Sequence, residues 1–327
     1  MILDFHTHFY TEAYLNALER GDCAAQIERT ADGQRRIAFA GDYSLVLPEH
    51  FQIDRVAAAM AGHGIDHQLL GFSVPGLHIE EASRAIDLAQ AINDAYAAIV
   101  AAQPTRFSAL AALPLQAPAA AALELERAVH QGLAGGQLFS NINGQSLADP
   151  AFWPVYETAE RLDVPLFIHP ISPVNITGMA QHRLVPMAGF MFDTTIAAMQ
   201  LVFGGVMSHF PGLKIVLGNL GGTLPFLAGR VEQAYHAYPE TRAALDAPPS
   251  TYLRRFYLET AGMPDAGALQ LALQFAGADH ILLGTDFPQQ IADVAGALRQ
   301  IDDLPLSTAI KNGLKGENAA RLLKIGG

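Results

Sequence analysis

Residues 2–8, ILDFHTH, decide how this 327-residue chain is read. The run is apolar enough to be a buried strand, yet it carries His6 and His8 one residue apart. Side chains of a strand alternate faces with a period of two, so the two imidazoles share a face, and Asp4 is expected on it as well. Two imidazoles turned to one side of a buried strand need a partner. A divalent cation is one answer, and a pair of hydrogen-bonded core histidines is the plainer alternative.

Working outward from this stretch, short apolar runs recur along the chain. They are HQLLGFS at 67–73, FSALAALP at 107–114, GGQLFS at 135–140, VPLFIHP at 164–170, LKIVLGN at 213–219, FYLET at 256–260 and HILLGTD at 280–286. Between them, Ala/Leu-rich segments at 80–102, 118–131, 149–162, 190–209, 264–275 and 291–300 have helical spacing. Eight mostly apolar strands alternating with helices predict a parallel sheet covered by helices, and eight repeats is the count of a (β/α)8 TIM barrel. The barrel is expected to occupy 1–327 as a single domain. A doubly wound open sheet is the alternative, but no G-x-G-x-x-G follows the first strand. Residues 10–50 break the rhythm. Alternating runs within 27–47, with turn signals at Asp32-Gly33 and Gly41-Asp42, predict a small β-insertion after the first strand. It is either a lid over the site or a surface hairpin away from it.

Composition narrows the function classes. Half the residues are hydrophobic and 16% are charged, which allows a large core and argues against disorder. A net charge of −12 and a pI near 5.4 argue against nucleic acid or an anionic membrane as partner. The one cysteine, Cys23, excludes an intrachain disulfide framework and fits a reducing compartment. No Lys or Arg precedes the first apolar run, which therefore does not read as a signal peptide, and no uninterrupted apolar stretch reaches membrane-spanning length. The expectation is a cytoplasmic protein acting on a small molecule.

Barrel enzymes place their chemistry at the C-terminal ends of the strands. The fifth predicted strand ends FIHP, which puts His169 there, and the eighth ends LLGTDFP, which puts Asp286 there. With His6 and His8 they make three imidazoles and one carboxylate, a donor set suited to Zn2+, Mn2+ or Fe2+.

FHTH, FIHP and LGTDFP, in this order, together with SNINGQSLADPAFWPVYETAERLDVPLFIHP at 140–170 and FPGLKIVLGNLGGTLPFLAGR at 210–230, resemble the amidohydrolase superfamily. The resemblance is to the branch that includes aminocarboxymuconate-semialdehyde decarboxylase. It implies a barrel, one divalent metal (zinc foremost, manganese or iron(II) as alternatives), no organic cofactor and often a homodimer. By position, His6, His8, His169 and Asp286 match the family's metal ligands. The implied activity is non-oxidative decarboxylation of a small aromatic or unsaturated carboxylic acid. Hydrolysis of a lactone, ester, amide or C–C bond by metal-activated water is the alternative.

One position departs from the pattern. The sixth strand of the family usually ends in a histidine before x-Gly-Gly, and here that position is Asn219. An asparagine can hydrogen-bond water or substrate but cannot shuttle a proton near pH 7. Asp286 is then the leading catalytic candidate, with Asn219 orienting water or substrate and His182 and Glu259 in reserve. Phe9 and Phe287, which follow ligand positions, are expected to form an apolar wall for the substrate. His182 and Arg183 after the fifth strand are expected to contact it, with Arg35, Arg36 and Arg230 as further cations. Trp153, in an outer helix, reads as packing.

Overall fold

The computed structural model describes residues 1–31, 33–39, 42–179, 181–262 and 265–326. The turn positions Asp32 and Gly41 and the expected helix start at Pro264 lie outside the described residues. The strands are β1 (Leu3–His8), β2 (Gln26–Arg29), β3 (Arg35–Phe39), β4 (Asp42–Val46), β5 (His67–Gly71), β6 (Phe107–Ala112), β7 (Gly135–Phe139), β8 (Pro165–His169), β9 (Lys214–Leu217), β10 (Tyr257–Glu259) and β11 (Ile281–Leu282). The helices are α1 (Glu12–Glu19), α2 (Ile53–His63), α3 (Ala82–Ala102), α4 (Pro118–His130), α5 (Trp153–Leu162), α6 (Phe190–Phe203), α7 (Val206–His209), α8 (Leu224–Ala237), α9 (Pro249–Leu253), α10 (Ala266–Ala276), α11 (Val294–Asp303), α12 (Thr308–Asn312) and α13 (Asn318–Leu323).

Eight strands pair in parallel in the order β1-β5-β6-β7-β8-β9-β10-β11, and helices lie between successive members. The sheet comes round on itself where Phe5 N–H donates to Leu283 O (2.8 Å), Asp286 N–H to His6 O (2.9 Å) and His8 N–H to Phe287 O (2.7 Å). This is the expected (β/α)8 barrel. Its interior is filled by Leu3, Phe5, Leu69, Leu110, Phe167, Val216 and Leu282, with Leu322 and Leu323 of α13 packed against them. A second apolar layer lies between strands and helices. Residues 10–50 do hold a small antiparallel sheet, β2-β3-β4, but also α1, which the alternating pattern did not suggest.

Two local features depart from simple periodicity. In β1 the partners are Leu3 with His67, Asp4 with Gln68, Thr7 with Leu70 and His8 with Gly71, so Phe5 and His6 together stand opposite Leu69. This bulge re-phases the strand. Phe5 and His6 both face inward, and Asp4 is turned to the other side, where Gln68 Nε2 (3.2 Å) and Thr285 Oγ1 (2.5 Å) donate to it. The expectation that Asp4 shares the histidine face is therefore corrected. The predicted helix at 190–209 breaks at Gly204–Gly205, where Gly205 takes a positive φ that glycine tolerates best, giving α6 and α7. The helical run Val185–Phe203 is long and apolar enough to cross a membrane by length and composition, but half of it is buried in this fold.

Candidate metal centre and active site

β1 ends in His8, β8 ends in His169, and Asp286 follows β11, so the C-terminal ends of three strands from around the barrel aim donors at one point. One ligand atom from each of His6, His8, His169 and Asp286 lies within 4.8 Å of all the others. His6 Nε2 and His8 Nε2 are 3.1 Å apart, about the separation that two bonds of roughly 2.1 Å to one ion would give. His8 Nε2 is also 2.8 Å from Asp286 Oδ1. The outer nitrogens of two rings are held by the protein. His6 Nδ1 lies 2.9 Å from Glu259 Oε1 and His169 Nδ1 lies 2.6 Å from Pro170 O, which leaves each Nε2 free for the centre.

The electrostatics agree with a cation there. Burial opposes charge on His6, yet the adjoining Glu259, with Asp286 and Asp4, carries its pKa up to about 9. Burial and the neighbouring imidazoles push His8 and His169 well down. Burial also raises Asp286. A field that favours a proton on one of three clustered imidazoles favours a divalent ion among them, with all three rings neutral. The donor set fits a divalent metal.

Glu259 is fully buried and accepts three hydrogen bonds. Besides His6, Oε1 takes the backbone N–H of Asn219 (2.6 Å) and Oε2 that of Ala261 (2.7 Å). Space for it depends on Gly284. A Cβ at that position would run into the Glu259 carboxylate and sit 2.9 Å from His6 Cβ. Asn219 and Asp286 both have left-handed backbones, φ 54° and 65°. That region is sparsely used outside glycine, and asparagine and aspartate tolerate it best.

Above the donors opens a cavity of about 530 Å³. His6, His8, His169, Asp286 and Asn219, with Ser44, Arg183, Gln289 and Gln290, form its polar part, and Tyr43, Leu45, Val74, Phe190, Met191 and Ile291 supply apolar surface. Tyr43 and Leu45 belong to β4, so the insertion contributes to the site as a lid rather than standing away from it. Ser44 between them lines the cavity as well, so the strand's alternation does not by itself mark which of its residues reach the site.

A family model described as Amidohydrolase matches residues 3–325. The chain belongs to the amidohydrolase family. This amidohydrolase is 34% identical over 290 residues to a gamma-resorcylate decarboxylase of Polaromonas sp. JS666, covering 83% of this chain and 87% of the relative. It is 34% identical over 243 residues to a 2-amino-3-carboxymuconate-6-semialdehyde decarboxylase of Dictyostelium discoideum, covering 74% and 67%. The crystal structure of a dihydroxybenzoic acid decarboxylase from Polaromonas sp. JS666, with bound manganese and 2-nitroresorcinol, superposes with a TM-score of 0.82. It has 28% identity and covers 100% of this chain and 97% of that one.

Within this amidohydrolase the other expected site residues divide. Arg183 lines the cavity, its guanidinium 4.5 Å from the Tyr43 ring centroid. His182 beside it is exposed and does not line the cavity. Phe9 and Phe287 are corrected. Phe9 directly follows the inward His8, so its ring points to the helix layer and packs against Tyr96 of α3. Phe287 follows Asp286 and packs against the same apolar layer. Arg35 and Arg36 pair with Glu19 and Glu28, and Arg230 lies exposed on α8. Trp153 packs on His209, ring centroids 4.2 Å apart, as a structural residue.

Proposed function

We propose that this protein is a metal-dependent, non-oxidative decarboxylase of a small aromatic carboxylic acid. The observation that carries the reading is the convergence of His6, His8, His169 and Asp286 at the floor of an otherwise largely apolar cavity. These four residues would hold the ion, with Zn2+ favoured by the nitrogen-rich donor set and Mn2+, as in the dihydroxybenzoic acid decarboxylase, its competitor. When bound, such an ion would supply a fixed positive charge able to offset the negative charge left as the C–C bond breaks.

The chain's own groups do the rest. Tyr43, Leu45 and Phe190 offer apolar surface to an aromatic ring and reduce the water around it, which favours release of neutral CO2 over retention of a carboxylate. Asp286 Oδ2, the oxygen not turned to His8, is the atom we assign to carry the proton that takes the place of the carboxyl group on carbon. Glu259 holds His6 in register, and the carboxyl carbon leaves as CO2 while the ring gains one proton. We also propose a homodimer, supported by Phe192 and Ile196 on α6 and Phe226 on α8, which stay exposed.

The test is metal-loaded protein incubated with a panel of aromatic carboxylic acids, lactones and esters, following CO2 and the decarboxylated arene. CO2 without water uptake is expected, whereas hydrolysis products without CO2 would replace the reading with a hydrolase. His6→Ala and Asp286→Ala should lose metal and turnover together. Normal metal content in both variants would remove the ligand assignment.

A further inference from the structure

Asn219 lines the cavity and is 7% exposed. Its amide has one orientation. Nδ2 donates to Ala261 O at 2.8 Å, and turning the group over would set oxygen against oxygen. The backbone N–H is already taken by Glu259. That leaves Oδ1, which is buried and receives no hydrogen bond. Among the described residues it is the one cavity-lining side-chain oxygen that is buried without a donor.

A buried acceptor without a partner is unfavourable, and native structures leave few of them. Here the missing donor has an evident source in the molecule that occupies the cavity. We infer that Asn219 Oδ1 accepts a hydrogen bond from the substrate, and so selects aromatic acids bearing a hydroxyl, amino or ring N–H group at the position that reaches it. An imidazole at this site would donate or accept according to its tautomer. In Asn219 the bond from one Nδ2–H to Ala261 O fixes the orientation, so the atom left to meet a substituent is Oδ1, an acceptor whatever the pH. The selection therefore has a sign. A donor-bearing substituent is admitted, whereas its methylated counterpart, or a second carboxylate at the same ring position, leaves Oδ1 unpaired or facing another acceptor.

This inference rests on the decarboxylase reading for the class of acid, and its test separates the two. Metal-loaded protein is given matched pairs, hydroxy- and amino-substituted benzoic acids against their O-methyl and N,N-dimethyl counterparts, with the substituent moved around the ring. Binding is measured by calorimetry and turnover by CO2 release, for wild type, Asn219→Leu and Asn219→His. For at least one ring position, wild type should favour the donor-bearing acid by about 10- to 100-fold in Kd and in kcat/KM. Asn219→Leu should bring that ratio to within about threefold at unchanged metal content. Asn219→His should admit the carboxylate-substituted acid, and it carries the test if the leucine variant does not fold. A preference in binding with no CO2 from any acid would uphold the inference and remove the decarboxylase reading. CO2 from both members of every pair at equal efficiency, or a preference that survives both substitutions, would overturn the inference alone. No binding of any acid would overturn both.

Discussion

At the floor of the cavity the donors are carried by strands and locked by neighbours: His6 by Glu259, His169 by Pro170 O, and Glu259 by two backbone N–H groups. At the mouth, Tyr43 and Leu45 come from an insertion strand. Met187 and Ile291 come from segments outside the strands and stay more than half exposed, at 55% and 57%. The floor is built for fixed geometry, which metal chemistry needs. The mouth is built of apolar side chains whose exact placement matters less, which is how one barrel comes to serve different substrates.

The largest effect short of removing a ligand is expected at the floor. Glu259→Ala should weaken metal affinity about 10- to 100-fold, because His6 loses the group that orients it. It also leaves the His6, Asn219 and Ala261 N–H groups without their acceptor, at about 1–3 kcal/mol for each that stays buried and unpaired. Metal titration and thermal unfolding check both parts. An unchanged metal Kd would mean that the floor is not held by its surroundings, and the contrast with the mouth would fail.

That contrast also explains what the sequence disclosed. The period of two puts His6 and His8 on one face, and His8, His169 and Asp286 stand at or just beyond strand C-terminal ends, so the barrel's common active face is what groups the four. The bulge at Phe5–His6 was hidden, because one extra residue shows only in the pairing with β5. Phe9 and Phe287 were misplaced for different reasons. Phe9, next to the inward His8, is turned outward by the alternation that turns His8 inward, whereas Phe287 follows Asp286, whose left-handed backbone breaks any strand pattern there. Phe190, Met191 and Ile291 reach the cavity through tertiary placement of their segments, which local pattern does not encode.

Two buried histidines in segments joining these regions give a smaller, pH-dependent effect. His50 ends the insertion and stacks on Tyr10, and His78 follows β5 and lies tilted against Phe139, ring centroids 5.1 Å apart. Burial lowers both pKa values to about 4. The unfolded chain, with histidine near 6.5, therefore binds more protons than the folded one between about pH 6.5 and 4. Stability is full above that window and lost as pH falls through it, by up to about 3 kcal/mol per histidine. Denaturant unfolding at pH 7.5, 5.5 and 4.5 should show a shallower decline for His78→Leu than for wild type. Parallel declines would place the acid sensitivity entirely at the floor.

The smallest effect is expected at the mouth, and its form matters more than its size. Leu45 is half-buried on the lid strand, so truncation removes part of the roughly 1.5–3 kcal/mol that a fully buried leucine side chain contributes. Leu45→Ala should raise KM about fivefold, with kcat and metal content held, because contacts remote from the reacting carbon act on the bound substrate and the transition state alike. Met187→Ala, starting from a more exposed side chain, should move KM less. A fall in kcat at constant KM would show instead that the lid acts only in the transition state, by excluding water or aligning the ring. The boundary between the two regions would then lie further out, with β4 of the insertion belonging to the catalytic floor.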